Sequence, residues 1–283
     1  MITRSDDGTE QRRIRKALQH WHCQPDGAVL RGGMSVVVPV RRSDERLMLK
    51  LLPSDAAVRE ALALSLFPRS ASVVCLDHHA DLGALLLERL TPESLVGADI
   101  DRSITIQADL ARRLAVPAPP VPGDAVRIER LAADGWRRHL DDLHRARPSM
   151  LPNRVIDFAR EVVAEFSEDR TTSLTHGDLH SHNVHRDRAG NWRALDPAPR
   201  IGTIAYESHT VIVERVRFGE LIAGGERELR RRLTLFGEVA GVSPDAAARL
   251  CQARAVSSAL YEAQQGHEAL AAELAWMAEA LTG

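Results

Sequence analysis

Apolar residues recur along this chain with two different periods, and each period predicts a type of element. Ile14, Leu18 and Trp21 are spaced four and three apart, which predicts a helix over 9–20 with one buried face. Between 28 and 52 the rhythm shortens. Val29-Leu30, Ser35–Val40 and Arg46–Leu52 are separated by Gly32-Gly33 and a polar turn, and they predict three short strands. Ser54-Asp55 opens a helix that ends near Pro68, and Val73–Leu76 and Ala84–Leu87 are two further candidate strands. After Leu90 helical periods dominate. They cover 99–115, 125–146 and 154–168, with Pro117–Gly123 as a stiff extended linker, and from 207 onward the chain reads as almost all helix. The pattern predicts an α+β protein in two lobes, a small β-rich one over 1–90 and a larger helical one over 91–283.

Composition narrows the setting. A hydrophobic content of 44% and a charged content of 27% describe an ordinary soluble globular protein. The net charge of −2 gives no reason to expect nucleic acid or an anionic membrane as a partner. No apolar run approaches the roughly 20 residues that span a bilayer. Cys23, Cys75 and Cys251 lie far apart, and Met1–Arg13 is polar, so a reducing cytoplasm is the expected location. Nothing in the pattern fixes an oligomeric state. Arginine far outnumbers lysine, with Lys16 and Lys50 the only lysines, and Lys50 sits within an apolar strand.

The chemistry concentrates in His176-Gly177-Asp178-Leu179-His180-Ser181-His182-Asn183, followed by Asp196-Pro197. An Asp, an Asn five residues later and a second Asp eighteen residues after the first have the spacing of a kinase active site. On that reading Asp178 orients the proton of an attacking hydroxyl, while Asn183 and Asp196 hold Mg²⁺ against the phosphates of ATP. Val184–Arg186 and Trp192–Leu195 flank the turn Asp187–Asn191, a hairpin that would return Asp196 to Asn183. Lys50 on a strand, ten residues before Glu60 on a helix, matches the pair that orients the α- and β-phosphates. Gly32 and Gly33 stand where a phosphate-covering turn would be, although a plain hairpin turn explains them nearly as well. The strand Leu85–Leu90 falls where a hinge would read adenine through the backbone of Glu88 and Leu90, and a nucleotide cleft would lie between the lobes.

Two other classes compete. His180, His182 and His185 form H-x-H-x-x-H, close to the run of metallo-β-lactamase-type zinc hydrolases, although Val184 stands where that family carries an Asp. A non-catalytic nucleotide-binding pseudokinase is the other, and intact Lys50, Asp178, Asn183 and Asp196 argue against it. No Walker A run, G-x-S-x-G or dinucleotide fingerprint occurs.

The block from His176 to Val184, together with Trp192-x-Ala194-Leu195-Asp196-Pro197, Ile201-Gly202 and Ala205-Tyr206, resembles the aminoglycoside phosphotransferases, most closely their streptomycin 6-kinase and hydroxyurea kinase branch. The resemblance implies a bilobal protein-kinase-like fold and transfer of the γ-phosphate of ATP to a hydroxyl of a small cationic antibiotic. Streptomycin, at its 6-hydroxyl, is the first expectation, with antibiotic resistance as the outcome; hydroxyurea or another small metabolite is the alternative acceptor. It carries the catalytic role to Asp178, the metal to Asn183 and Asp196, and the phosphate-anchoring pair to Lys50 and Glu60. A cationic acceptor needs acidic partners, for which Glu207, Glu214, Asp134 and Glu262 are candidates. Two departures fall on the acceptor side: Ala198 replaces the usual Lys after Asp-Pro, and Glu207 replaces the usual Asp after Ala-Tyr.

Overall fold

The computed structural model describes residues 6–118, 133–168, 173–216 and 220–283, with side chains described for 8–118, 135–166, 173–213 and 224–283. Two compact units divide the chain. The first comprises residues up to Glu93 together with His185–Pro197, and the second comprises the described parts of 94–184 and Ala198–Gly283.

The first unit is built on an antiparallel sheet. Helix α1 (Asp6–His20) precedes strands β1 (Gln24–Pro25), β2 (Leu30–Gly32), β3 (Ser35–Arg42) and β4 (Glu45–Leu51). Helix α2 (Ser54–Leu66) and strands β5 (Cys75–His79) and β6 (Ala84–Glu88) follow. The strand order is β1-β3-β4-β6-β5, with β2 also paired to β3. Alternation in β4 decides what each face buries. Leu47, Leu49 and Leu51 join Val38, Val40 and Leu86 under Ile14 and Ala17 of α1 and Trp21 just beyond it. Met48 and Leu52 turn to the other face, where Leu85, Leu87, Ala57, Ala61 and Leu64 form a second cluster beneath α2. Lys50, between them, shares that α2 face. Trp21 keeps its indole N–H satisfied on Asp77 at 2.9 Å. Gly83, at φ +57°, lies where a Cβ would come within 2.3 Å of the Leu52 carbonyl, so only glycine fits that turn.

Two strand expectations shift. Gln24–Pro25 forms an additional edge pairing with β3, too short and too close to proline to read from a pattern. Val73 and Val74 are extended but bond elsewhere: Val73 donates to the Ala194 carbonyl at 2.8 Å, and Val74 donates to the Glu88 carboxylate at 2.8 Å. Strand β5 therefore begins at Cys75, with a bulge before Asp77. The hairpin predicted over 184–195 forms as β9 (Val184–Arg186) and β10 (Trp192–Ala194).

The second unit is helical around a three-stranded sheet of β7 (Val116–Pro117), β8 (Ser173–Thr175) and β11 (Arg200–Ile201), in the order β11-β8-β7. Its helices are α3 (Ile100–Leu114), α4 (Ala133–Ala146), α5 (Asn153–Glu168), α6 (Glu207–Val216), α7 (Glu220–Ala240), α8 (Pro244–Gln264) and α9 (Glu268–Ala280). The remainder of the expected linker and the start of the helix expected over 125–146 lie outside the described residues. Helix α8 starts on a Ser243 cap with Pro244 in its first turn and buries Leu250, Cys251, Val256 and Leu260 among alanines. A helix so small-sided lets α5, α6, α7 and α9 pack closely around it. No described helix is long and apolar enough to cross a membrane.

Candidate active site

Strand β8 delivers the chain into the loop 176–183. Gly177 takes φ +82°, and a Cβ there would lie 1.9 Å from the Ala198 carbonyl oxygen, so the loop closes only on glycine. The next residue, Asp178, is then held at both ends. Its carbonyl accepts from His180 N–H at 3.1 Å and from Asn183 Nδ2 at 2.9 Å. Asn183 Nδ2 also stands 3.5 Å from the Asp178 carboxylate. A single 3₁₀ turn, Ser181–Asn183, closes the loop. Leu179 is fully buried, and its carbonyl accepts from Gln107 Nε2 at 2.9 Å, tying the loop to α3. The structure thus brings Asp178 and Asn183 together across one tight loop. Burial raises the Asp178 carboxyl, but the hydrogen bond from His180 and the charges of His180, His176 and Arg254 outweigh it and hold the group below its ordinary value. An ionised carboxylate is the form that accepts or orients a hydroxyl proton.

Glu207 belongs under this loop and not on an acceptor surface. It is 1% exposed, and its Oε1 accepts from the Gly177 N–H at 2.5 Å. Burial raises its carboxyl. The expectation that it binds substrate is corrected on that ground: no ligand reaches a carboxylate sealed beneath the backbone it supports. The side chains of Asp134 and Glu214 lie outside the described residues.

In the first unit, Lys50 is 3% exposed and its Nζ lies 2.8 and 2.6 Å from the two Glu60 oxygens. It also meets the Asp196 carboxylate at 3.0 Å. Burial alone would lower the Lys50 ammonium, but Glu60 and Asp196 more than reverse this and raise it. The same burial lifts Glu60 to about 7, against the pull of Lys50 and with a further push from Asp196. The two shifts oppose each other; the short Nζ–O distances favour the ammonium–carboxylate form. Asp196 has φ +58°, an uncommon left-handed conformation for a residue with a side chain, and its carboxylate is 35% exposed. The hairpin before it is locked by Asp187, which accepts from the N–H groups of Ala189 and Asn191 at 2.9 and 2.8 Å and pairs with Arg193 at 2.6 Å. Asp196 and Asn183 present oxygen donors of the kind Mg²⁺ prefers.

Gly32 ends β2, paired with Ser35, and Gly33 opens the β2–β3 turn; neither has positive φ, and a Cβ on Gly33 would meet open space. The turn does not require glycine; it leaves room for close approach. Glu88 spends its N–H on the Val74 carbonyl at 2.9 Å, so that donor is already committed. Leu90 packs partly buried against the cluster beneath α2. The His180 and His182 rings meet edge-on at 5.8 Å, while His185 Nδ1 lies 3.0 Å from the Thr91 carbonyl. Among the described residues no group of three His, Cys, Asp or Glu side chains is placed to hold a metal ion, which leaves the zinc-hydrolase alternative without a ligand set.

Beside Asp178 the second unit opens a cavity of about 370 Å³. His180 and His182 line it from the loop, Thr210 and Val213 from α6, Arg254, Ser258 and Glu262 from α8, and Leu270 and Leu274 from α9. Of the acidic candidates whose side chains are described, Glu207 and Glu262, it is Glu262 that lines this cavity. Arg254, Ser258 and Thr210 are additions that the motifs did not reveal. A signal for two of them was present: Arg254, Ser258 and Glu262 recur every four residues, a polar stripe along one face of α8.

A sheet with a helix on each face, a helical unit carrying the Gly-Asp loop, and a buried Lys50–Glu60 pair in contact with Asp196 define a phosphotransferase of the kinase-like class. The crystal structure of the aminoglycoside phosphotransferase APH(4)-Ia matches with a TM-score of 0.60 at 16% identity, covering 96% of this chain and 98% of that one. The choline kinase LicA from Streptococcus pneumoniae matches with a TM-score of 0.62 at 12% identity, again over 96% and 98% of the two chains. A thermostable mutant of APH(4)-Ia was solved with AMP-PNP and hygromycin B, at a TM-score of 0.57 and 15% identity to this chain, covering 95% of it and 97% of that structure. These likenesses show the fold. The chain belongs to the family described as aminoglycoside/hydroxyurea antibiotic resistance kinase, which matches residues 20–266. The streptomycin 6-kinase of Streptomyces glaucescens is 29% identical, covering 95% of this chain and 88% of its own length. The hydroxyurea phosphotransferase of Kitasatospora aureofaciens is 28% identical, covering 96% and 78%.

Proposed function

We propose that this protein transfers the γ-phosphoryl group of ATP to a hydroxyl of a small cationic antibiotic, streptomycin at its 6-hydroxyl first, and so confers resistance in the cytoplasm. The observation that carries the reading is the Lys50 ammonium held between Glu60 and Asp196, a preset anchor for anionic phosphates. Lys50 neutralises phosphate charge, and Glu60 fixes the direction of the ammonium. Asp196 and Asn183 are the residues that would hold Mg²⁺. MgATP, when bound, supplies the transferable phosphoryl group and the divalent charge that offsets its negative oxygens. Gly32 at the end of β2 and Gly33 in the turn after it give the phosphates room. Glu88 and Leu90 would contribute backbone atoms to adenine, with Glu88 limited to its carbonyl because its N–H is committed. Asp178 orients the acceptor hydroxyl and takes its proton, and the cavity beside it receives the acceptor.

The test is MgATP consumption measured against streptomycin, other aminoglycosides and hydroxyurea, with mass spectrometry of the product. Phosphorylated streptomycin, dependent on Mg²⁺ and lost in Asp178→Asn, is the expected result. Transfer to hydroxyurea alone would keep the kinase and move the acceptor to that compound. No transfer to any acceptor would refute the assignment.

A further inference from the structure

The cavity beside Asp178 carries a charge order that phosphoryl transfer does not itself require. Of its described lining, Arg254 holds a permanent positive charge, Asp178 and Glu262 are the carboxylates, and Leu270 and Leu274 supply an apolar wall. Arg254 and Glu262 lie on one face of α8 with Ser258 between them, and eight residues of helix separate their Cα atoms by about 12 Å. We propose that Arg254 orients cationic acceptors: it keeps their positive groups away from Asp178 and directs them toward Glu262, so that a hydroxyl and not a cation meets the Asp178 carboxylate. The inference rests on the kinase reading of this cavity.

Without such a device a cationic acceptor has an obvious wrong pose. Asp178 is a half-exposed carboxylate, and an ammonium or guanidinium in the cavity would pair with it directly, displacing the hydroxyl. A fixed positive charge in the same cavity lining penalises that pose and leaves the hydroxyl pose alone. Arg254 is built to be fixed. Its Nη1 donates to the Tyr206 carbonyl at 3.1 Å and to Thr210 Oγ1 at 3.0 Å, and its guanidinium stacks 4.1 Å from the centre of the Tyr206 ring. Tyr206 is itself wedged between Phe166, stacked at 6.4 Å, and Trp136, edge-on at 5.8 Å. A guanidinium pinned by two hydrogen bonds and an aromatic stack does not swing aside to let a ligand cation pass. At the far end Glu262 is 17% exposed, and its Oε2 is held 2.6 Å from His267 Nδ1, facing the cavity from the end of α8. The ligand class follows from the spacing. The favoured acceptor is an alcohol whose cation and reactive hydroxyl are several bonds apart, so that both ends are met at once. A compact amino alcohol such as choline cannot span the two.

Two readouts test this, and streptomycin, choline and hydroxyurea are the probes. In equilibrium calorimetry, Arg254→Gln is expected to bind streptomycin several-fold more tightly than wild type, because the wrong pose becomes available, and Glu262→Gln to bind it about tenfold more weakly. In steady-state kinetics, Arg254→Gln lowers kcat and KM for streptomycin together, the signature of nonproductive binding. With hydroxyurea, which has no cation to misplace, the two constants do not fall in parallel. Arg254→Lys keeps the charge and loses the fork of hydrogen bonds. If it behaves like wild type the charge is the device; if it behaves like Arg254→Gln, Arg254 is a packing residue and the proposal is overturned. Equal affinity of all variants for streptomycin, absence of streptomycin binding to wild type, or tighter binding of choline than of streptomycin also overturns it. The kinase reading fails separately, if charge-dependent binding is seen without any phosphoryl transfer.

Discussion

Lys50 is a cation almost sealed from water, and its removal exposes what Glu60 is worth alone. In Lys50→Met the Glu60 carboxyl, already at about 7 in the wild type, loses its counter-charge and rises further. An acid raised on folding binds more protons folded than unfolded, so stability is greatest below the unfolded value and falls as pH rises toward the folded one. In the wild type this loss occupies pH 4.5 to about 7; in Lys50→Met it continues above 7. Thermal melts at pH 6 and 8 check this: the variant should lose more stability than wild type over that interval, and should lose ATP binding at both. Glu207 invites a complementary test. Glu207→Gln keeps an oxygen for the Gly177 N–H and should leave the acceptor KM unmoved, whereas Glu207→Ala strands a buried donor and should cost about 1–3 kcal/mol in denaturant unfolding. A raised KM in Glu207→Gln would return Glu207 to the acceptor site. At this scale the sequence was informative where chemistry and local spacing coincide. Lys50 stood out by its place in an apolar strand, and Asp178 and Asn183 by their five-residue interval. It was uninformative where burial decides the role. Nothing local distinguishes Glu207, sealed under a loop, from Glu262, open to a cavity; that difference comes from which helices cover them.

Elements were legible in proportion to their length and period. Helices α1, α2 and α3 begin and end within a few residues of their sequence signals, because each has one apolar face or a clear stop. Strand β5 did not, because the two valines expected to start it find partners in Ala194 and Glu88 that lie far away in sequence. The β9–β10 hairpin was readable from its turn, and its stability is concentrated in that turn. Burial would raise the Asp187 carboxyl, but bonds from Asn191 and Arg193 prevail and hold it at about 2. A carboxyl depressed on folding contributes stability that is complete above its ordinary value of 3.8 and is lost as pH falls toward 2. Asp187→Asn should therefore lose stability at pH 7 and narrow its gap to wild type below pH 4. Melting curves across pH 3–7 measure it, and a gap that stays constant would mean that hydrogen bonds, not charge, hold the turn.

At the scale of the molecule, the class of protein was readable from one loop and one hairpin, while the cavity beside Asp178 was not, since it draws on α6, α8 and α9, whose residues meet only after the second unit has folded. The same scale shows what the chemistry costs the fold. Asp196 holds a backbone conformation, φ +58°, in which glycine is at ease, aspartate is tolerated and alanine is strained. Replacing it tests conformation and carboxylate apart: Asp196→Gly and Asp196→Ala both lose metal-dependent nucleotide binding, yet the glycine variant should unfold about 1 kcal/mol later than the alanine variant in denaturant. If the alanine variant is the more stable of the two, the left-handed backbone is not a strain that the fold carries. If the glycine variant leads, a more durable but inert protein lies one substitution away. A population selected only for persistence would drift toward it, and only continued exposure to the acceptor would hold the aspartate in place.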